Sequence, residues 1–179
     1  MFEEIFNIPA HPLIVHGAVV FVPLQIMAAF AYALVPFVRR YTAWAVVGLA
    51  VLAPAAAYAA KLSGQALRDR LIRNGTSDAG ILAKITQHSQ YADRTLFASI
   101  VLSLLMLALV FVPVILSRRR SNPGGDKSEG DKSATAPTGR GSAVFAVLLI
   151  VAVLGVGATT GYFIFKTGDS GAHIVWEGI

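Results

Sequence analysis

The sequence predicts an all-α integral membrane protein, a four-helix bundle with its N-terminus and C-terminus on the same side of the bilayer. Three observations predict it. Apolar residues make up 55% of the chain and charged residues only 14%, against roughly 25% charged in an ordinary soluble domain; the mean hydropathy is +0.64. The apolar residues fall in long unbroken blocks, a pattern that leaves no polar face for water. Four of these blocks are free of charge and reach the length of about 20 residues that crosses a hydrocarbon core.

All 179 residues form one domain in this reading, and the elements follow in order. The first block runs from Pro12 to Val38. The preceding Met1-Phe2-Glu3-Glu4 lacks the basic start of a cleavable signal, and the block is too long for a signal core, so a retained helix is expected. The second block covers 41–60, the third 95–117 and the fourth 141–165. Residues 62–94 form a helical outer loop. Its two pieces, Leu62–Arg73 and Ala79–Arg94, are parted by the turn signal Asn74-Gly75, with Ser77 or Asp78 placed to cap the second piece. That piece is expected to run directly into helix three. Residues 121–139, rich in Gly, Ser, Pro and scattered charge, cannot bury a core and read as a disordered cytoplasmic linker. The Gly-rich tail Thr167–Gly178 carries Ile174, Val175 and Trp176, which a solvated tail does not need; it is expected to fold back over the mouth of the bundle. No internal repeat is evident.

Packing signals accompany the blocks. Gly157 and Gly161 form a GxxxG spacing, which lets helix backbones approach closely, and 54–60 gives helix two a surface of small residues. Pro23 and Pro54 each remove a helix hydrogen bond and are expected to kink their helices. Trp44, Tyr162 and Trp176 suit the aromatic belts at the two interfaces.

Charge orients the bundle. Arg39-Arg40 fills the short first loop and Arg118-Arg119-Arg120 follows helix three; basic residues next to helix ends mark the cytoplasmic side. Both termini then lie outside. The segment between helices two and three opposes this assignment with six basic residues, Lys61, Arg68, Arg70, Arg73, Lys84 and Arg94, spread out and partly offset by Asp69, Asp78 and Asp93. The net charge of +5 belongs to these flanks rather than to a nucleic-acid footprint. The chain has no cysteine, which excludes disulfides, thiolate metal sites and iron–sulfur clusters. No Asp or Glu lies within the four blocks, which argues against an ion-coupled transporter.

The four histidines, His11, His16, His88 and His173, gather at one membrane face by counting crossings alone. On helix three, Ile81, Ile85, His88, Ala92, Thr95 and Ser99 form one stripe, small below His88, leaving room for a cofactor or a neighbouring helix. Two readings compete. In one, His16 and His88 face each other across the bundle and bind a haem or a metal ion, with His11 or His173 completing the site; neutral imidazole suits zinc, copper and haem iron, and bundle cores host such sites. In the other, all four imidazoles only hydrogen-bond at the interface. His11 and His16 are five residues apart, about 140° around a regular helix, so both cannot point inward unless His11 lies in a non-helical cap. Lys61, Asp93 and Arg94 are placed to form an ion pair that ties the outer loop to the bundle, and Asp169 and His173 are spaced to orient each other.

The opening His11-Pro12-Leu13-Ile14-Val15-His16, followed by Val20-Phe21-Val22-Pro23-Leu24, resembles the start of a bacterial membrane family, domain of unknown function 2231. The likeness extends over nearly the whole chain: four helices, Ser63-Gly64 near the end of helix two, His88 before helix three, and a Gly-rich C-terminal segment with an aromatic, Gly168 to Gly178. Gly17-Ala18 departs from the Phe-Pro that many members carry after the second histidine. The resemblance implies the architecture and draws attention to His11, His16 and His88; it implies no activity. The sequence thus points to a bacterial inner-membrane protein that binds a haem or metal ion through its histidines. The alternative is a structural or assembly subunit of a larger membrane complex, without a cofactor. The expected partners are the lipid bilayer and a membrane protein, not nucleic acid.

Overall fold

The computed structural model describes residues 4–5, 8–75, 78–120 and 140–176. Two residue pairs, β1 (Glu4–Ile5) and β2 (Ile8–Pro9), form a minimal antiparallel ladder that leads into α1 (Ala10–Leu34). Then come α2 (Arg39–Arg73), α3 (Ala79–Arg120) and α4 (Arg140–Trp176). All four helices are long and apolar enough to cross a membrane. They pack in the cyclic order α1–α2–α3–α4, with α1 and α3 diagonal to each other across the bundle axis. The linker expected at 121–139 lies outside the described residues.

The helices differ in length from the apolar blocks, for local reasons. α1 stops at Leu34 rather than Val38 because Pro36 has no N–H and disfavours helix in the residue before it; Pro36–Val38 forms a single 3-10 turn instead. Arg39 closes the gap. Its guanidinium donates to the orphan carbonyls of Tyr32 and Ala33, both at 2.9 Å, and lies 5.8 Å from the Tyr32 ring centre. The outer loop is a continuation of the helices themselves: α2 extends to Arg73 and α3 begins at Ala79. Gly75, at φ +89°, makes the turn between them, a conformation open to glycine at little cost. Asp78 caps α3, accepting from the N–H groups of Gly80 (2.7 Å) and Ile81 (3.1 Å). Ser77, the other expected cap, lies outside the described residues. As far as Trp176 the tail does not fold back, and Glu177 and Gly178 lie outside the described residues. It continues α4 as helix to Trp176, with no proline to stop it and with Ser170 and Gly171 seated against His88 of α3.

At the end away from the termini the core is a dry cluster around Ala29, Tyr32, Val46, Leu102, Met106 and Val153. A polar layer follows. The Gln25 side chain, fully buried, donates to the Ser103 hydroxyl (2.7 Å) and the Ser99 carbonyl (3.2 Å) and accepts from the Ser99 hydroxyl (2.8 Å). Every polar atom is thereby matched, and α1 is registered on its diagonal partner α3. Interhelical hydrogen bonds in lipid contribute only about 0.6–2 kcal/mol, so Gln25→Leu is expected to lower stability by about 1 kcal/mol without loss of fold; reversible unfolding of the purified protein in mixed micelles measures it.

Among the buried positions of α1, Ala18, Gln25 and Tyr32 recur every seven residues, as do Thr95, Leu102 and Leu109 among those of α3. Seven residues are nearly two turns, so each row stays on the inner face. Extended outward by one step, the first row reaches His11 and the second reaches His88.

Candidate functional site

His11 and His88 meet across the axis at the bundle end that holds both termini. Their ring centres are 6.5 Å apart and their planes stand at 83°. Both rings are half-buried. Each is held from the helix that follows its own. His11 Nδ1 lies 3.0 Å from Ser63 Oγ, and His88 Nδ1 lies 3.0 Å from Ser170 Oγ. The single hydroxyl proton of Ser63 goes to the Ala60 carbonyl (2.9 Å) and that of Ser170 to the Thr167 carbonyl (3.1 Å). Each serine oxygen therefore accepts from an Nδ1–H, which fixes the tautomer and leaves the lone pair of each ring on Nε2.

A cavity of about 410 Å³ adjoins the pair and draws on all four helices, a size typical of small-molecule sites. Its wall beside the imidazoles is made of small residues, among them Ala18, Ala57, Ala60, Ala92 and Gly168. Of the small stripe below His88, Ala92 and Thr95 line the cavity, while Thr95 also meets Thr167 of α4 (3.0 Å) and Ser99 is bonded to Gln25 of α1, so the stripe serves both as cavity wall and as a seat for neighbouring helices. Around the same level Lys61 pairs with Asp93 at 2.8 Å, joining α2 to α3. Both are partly exposed, so the bond contributes little. Arg94 takes no part in that pair; its guanidinium rests near the Tyr91 and Phe163 rings, at 5.9 and 5.8 Å.

The four sequence-selected histidines part company here. His16 lines the cavity, but its ring is exposed and its Nδ1–H donates to its own helix, at the Pro12 carbonyl. The partner that His88 meets is therefore His11, not His16. The 140° between the two α1 histidines admits one to the interior, and the helix already begins at Ala10, which puts His11 on the inward row. His173 sits apart in a polar recess with Lys84, Tyr91 and Lys166. Its Nδ1–H donates to the Asp169 carbonyl at 2.8 Å, and the Asp169 carboxylate is 3.6 Å away. Among the described residues no three histidine, aspartate or glutamate side chains converge as a metal-ion site would require.

Sequence reasoning passed over Ser170-Gly171 and gave Ser63-Gly64 no role beyond the family likeness. The structure uses them identically, each holding the histidine of the preceding helix, so α1–α2 and α3–α4 are two copies of one arrangement about an axis along the bundle. The repeat escapes notice because three residues per half carry it, with histidine and serine 52 positions apart in one half and 82 in the other.

Residues 7–178 match the family described as predicted membrane protein, DUF2231. No curated protein and no solved structure matches the chain.

Proposed function

The chain belongs to the DUF2231 family of predicted membrane proteins, and from that premise we propose that it is a multi-pass haem protein in which His11 and His88 ligate one iron from opposite sides. The observation that carries this reading is the His11–His88 separation. Two metal–nitrogen bonds of about 2 Å each, plus roughly 1.1 Å from nitrogen to ring centre on either side, place opposed imidazoles about 6.3 Å apart, against 6.5 Å between the rings. A bare metal ion wants three or four protein ligands, whereas a haem brings four equatorial nitrogens and needs two axial ones. The site supplies two. With no cysteine in the chain, the haem would be held without thioether bonds.

The protein's own part is legible in the residues. The small side chains of the cavity wall would leave room for a flat macrocycle beside the two rings, against a lining that is mostly apolar. A haem held there by His11 and His88 would supply one-electron redox chemistry, which suits electron transfer rather than oxygen binding. We assign the protein to a bacterial plasma membrane with the histidine end outside, because Arg39, Arg40 and Arg118–Arg120 mark the other end as cytoplasmic.

Two neighbouring histidines give a control. His16→Ala and His173→Ala are expected to leave haem stoichiometry and the Soret band as in the parent protein, measured after haem addition to the protein purified in detergent. Loss of the band in His16→Ala would return the ligand role to His16. A parent protein that stays colourless and purifies with stoichiometric partners would favour the subunit reading instead.

A further inference from the structure

We infer that the pairs Ser63-Gly64 and Ser170-Gly171 are matched positioning elements that set the donor strength and the ring placement of the two axial histidines. This deepens the haem reading and rests on it. A serine bonded to the carbonyl three residues back is ordinary in helices. What is not ordinary is its recurrence with the same partner and the same neighbour in both halves. In each, the serine oxygen is 3.0 Å from a histidine Nδ1 on the preceding helix. In each, the next residue is a glycine with a bare Cα facing that ring. A Cβ on Gly64 would stand 3.1 Å from His11 Cε1 and 3.4 Å from its Nδ1; one on Gly171 would stand 3.1 and 3.5 Å from the same atoms of His88. Serine pulls the ring onto the helix, and glycine gives it the room to lie there.

The chemistry follows from the direction of the hydrogen bonds. Each chain runs Nδ1–H to serine oxygen, and serine hydroxyl to carbonyl, so the hydroxyl is polarised before it accepts. A ligand histidine that donates from its distal nitrogen is a stronger base toward the metal. It favours ferric over ferrous iron and lowers the midpoint potential. Removing the serine oxygen loosens the ring and weakens this effect. Because the two serine–histidine pairs are built alike and each would act through its own ring, the two effects should be of similar size and the same sign.

The test is a redox titration of haem-loaded full-length protein in detergent. Ser63→Ala and Ser170→Ala are each expected to raise the midpoint potential, and the double variant to raise it further. Ser63→Thr and Ser170→Thr, which keep the hydroxyl, should return toward the parent value. Gly64→Ala and Gly171→Ala keep both serines but crowd the rings, and should convert part of the low-spin haem to high-spin. Haem that stays bound with unmoved potentials in all the alanine variants would overturn this inference and leave the ligand assignment intact. A parent protein that takes up no haem overturns the ligand assignment, and the inference with it. Should a serine-to-alanine variant fail to accumulate, the threonine and glycine variants still decide: threonine potentials displaced as far as those of alanine, or glycine variants with purely low-spin haem, would each count against it.

Discussion

Alanine in place of either His11 or His88 is expected to abolish haem uptake. The two rings come from diagonal helices whose direct contact is otherwise slight, so neither can stand in for the other, and no third histidine, aspartate or glutamate converges on the pair among the described residues. Loss of even an outer-shell partner costs metal sites about 10- to 100-fold in affinity, so loss of an axial ligand should cost at least about 100-fold. Titrating haem into purified His11→Ala and His88→Ala protein and following the Soret band gives the answer. Both rings are half-buried at the end of the bundle, well outside the dry core, so helix content and melting should stay near those of the parent. A variant that still binds one haem with parental affinity would remove that histidine from the site.

The second large effect is expected far from the histidines. Gly157 lies against the Phe30 ring so closely that an added Cβ would fall 2.4 Å from Phe30 Cε1 and 3.0 Å from Cζ. Lipid tails are as apolar as the protein interior, so helices in a bilayer associate through such close packing rather than through hydrophobic burial. Gly157→Leu must push α1 from α4 or drive Phe30 off its rotamer. Overpacking of this kind costs about 1–3 kcal/mol, and the upper end is expected because Gly161 in the same row also packs on α1, near Ile26. The melting temperature in detergent should fall, and Phe30→Ala introduced into the same chain should recover part of the loss. A Gly157→Leu protein as stable as the parent would mean that the GxxxG row does not hold α1 to α4. By contrast, Gly155 faces open space, and Gly155→Ala is expected to be silent.

Much of this was legible in the sequence, for physical reasons that can be named. Lipid demands long apolar helices with internally satisfied backbones, so hydropathy alone located all four spans. Counting crossings placed His11 and His88 on one face. The choice between His11 and His16 was harder. Angular spacing showed that only one could point inward, but deciding which required the inner row of α1, visible as the seven-residue recurrence of His11, Ala18, Gln25 and Tyr32. Proline had a similar blind spot. Pro23, Pro54 and Pro113 lie inside continuous helices, whereas Pro36 ends one, and what separates them is the turn that the chain must make before Arg39. The Gly-rich stretch after Thr167 read as tail because glycine weakens an isolated helix. Here Gly171 is present for the His88 ring, and tertiary packing overrides propensity. The serines were least visible of all, since a serine in a helix looks the same whether it bonds only its own backbone or also a ring from the next helix.

In the proposed site a single iron would lie between two nearly perpendicular imidazoles. Electron paramagnetic resonance of the oxidised, haem-loaded protein reads that arrangement directly, because perpendicular axial rings leave the ferric d orbitals nearly degenerate. The haem reading predicts one haem per chain with a highly anisotropic low-spin signal that vanishes in both His11→Ala and His88→Ala. A high-spin signal in the parent protein, or a low-spin signal that survives either substitution, would contradict it.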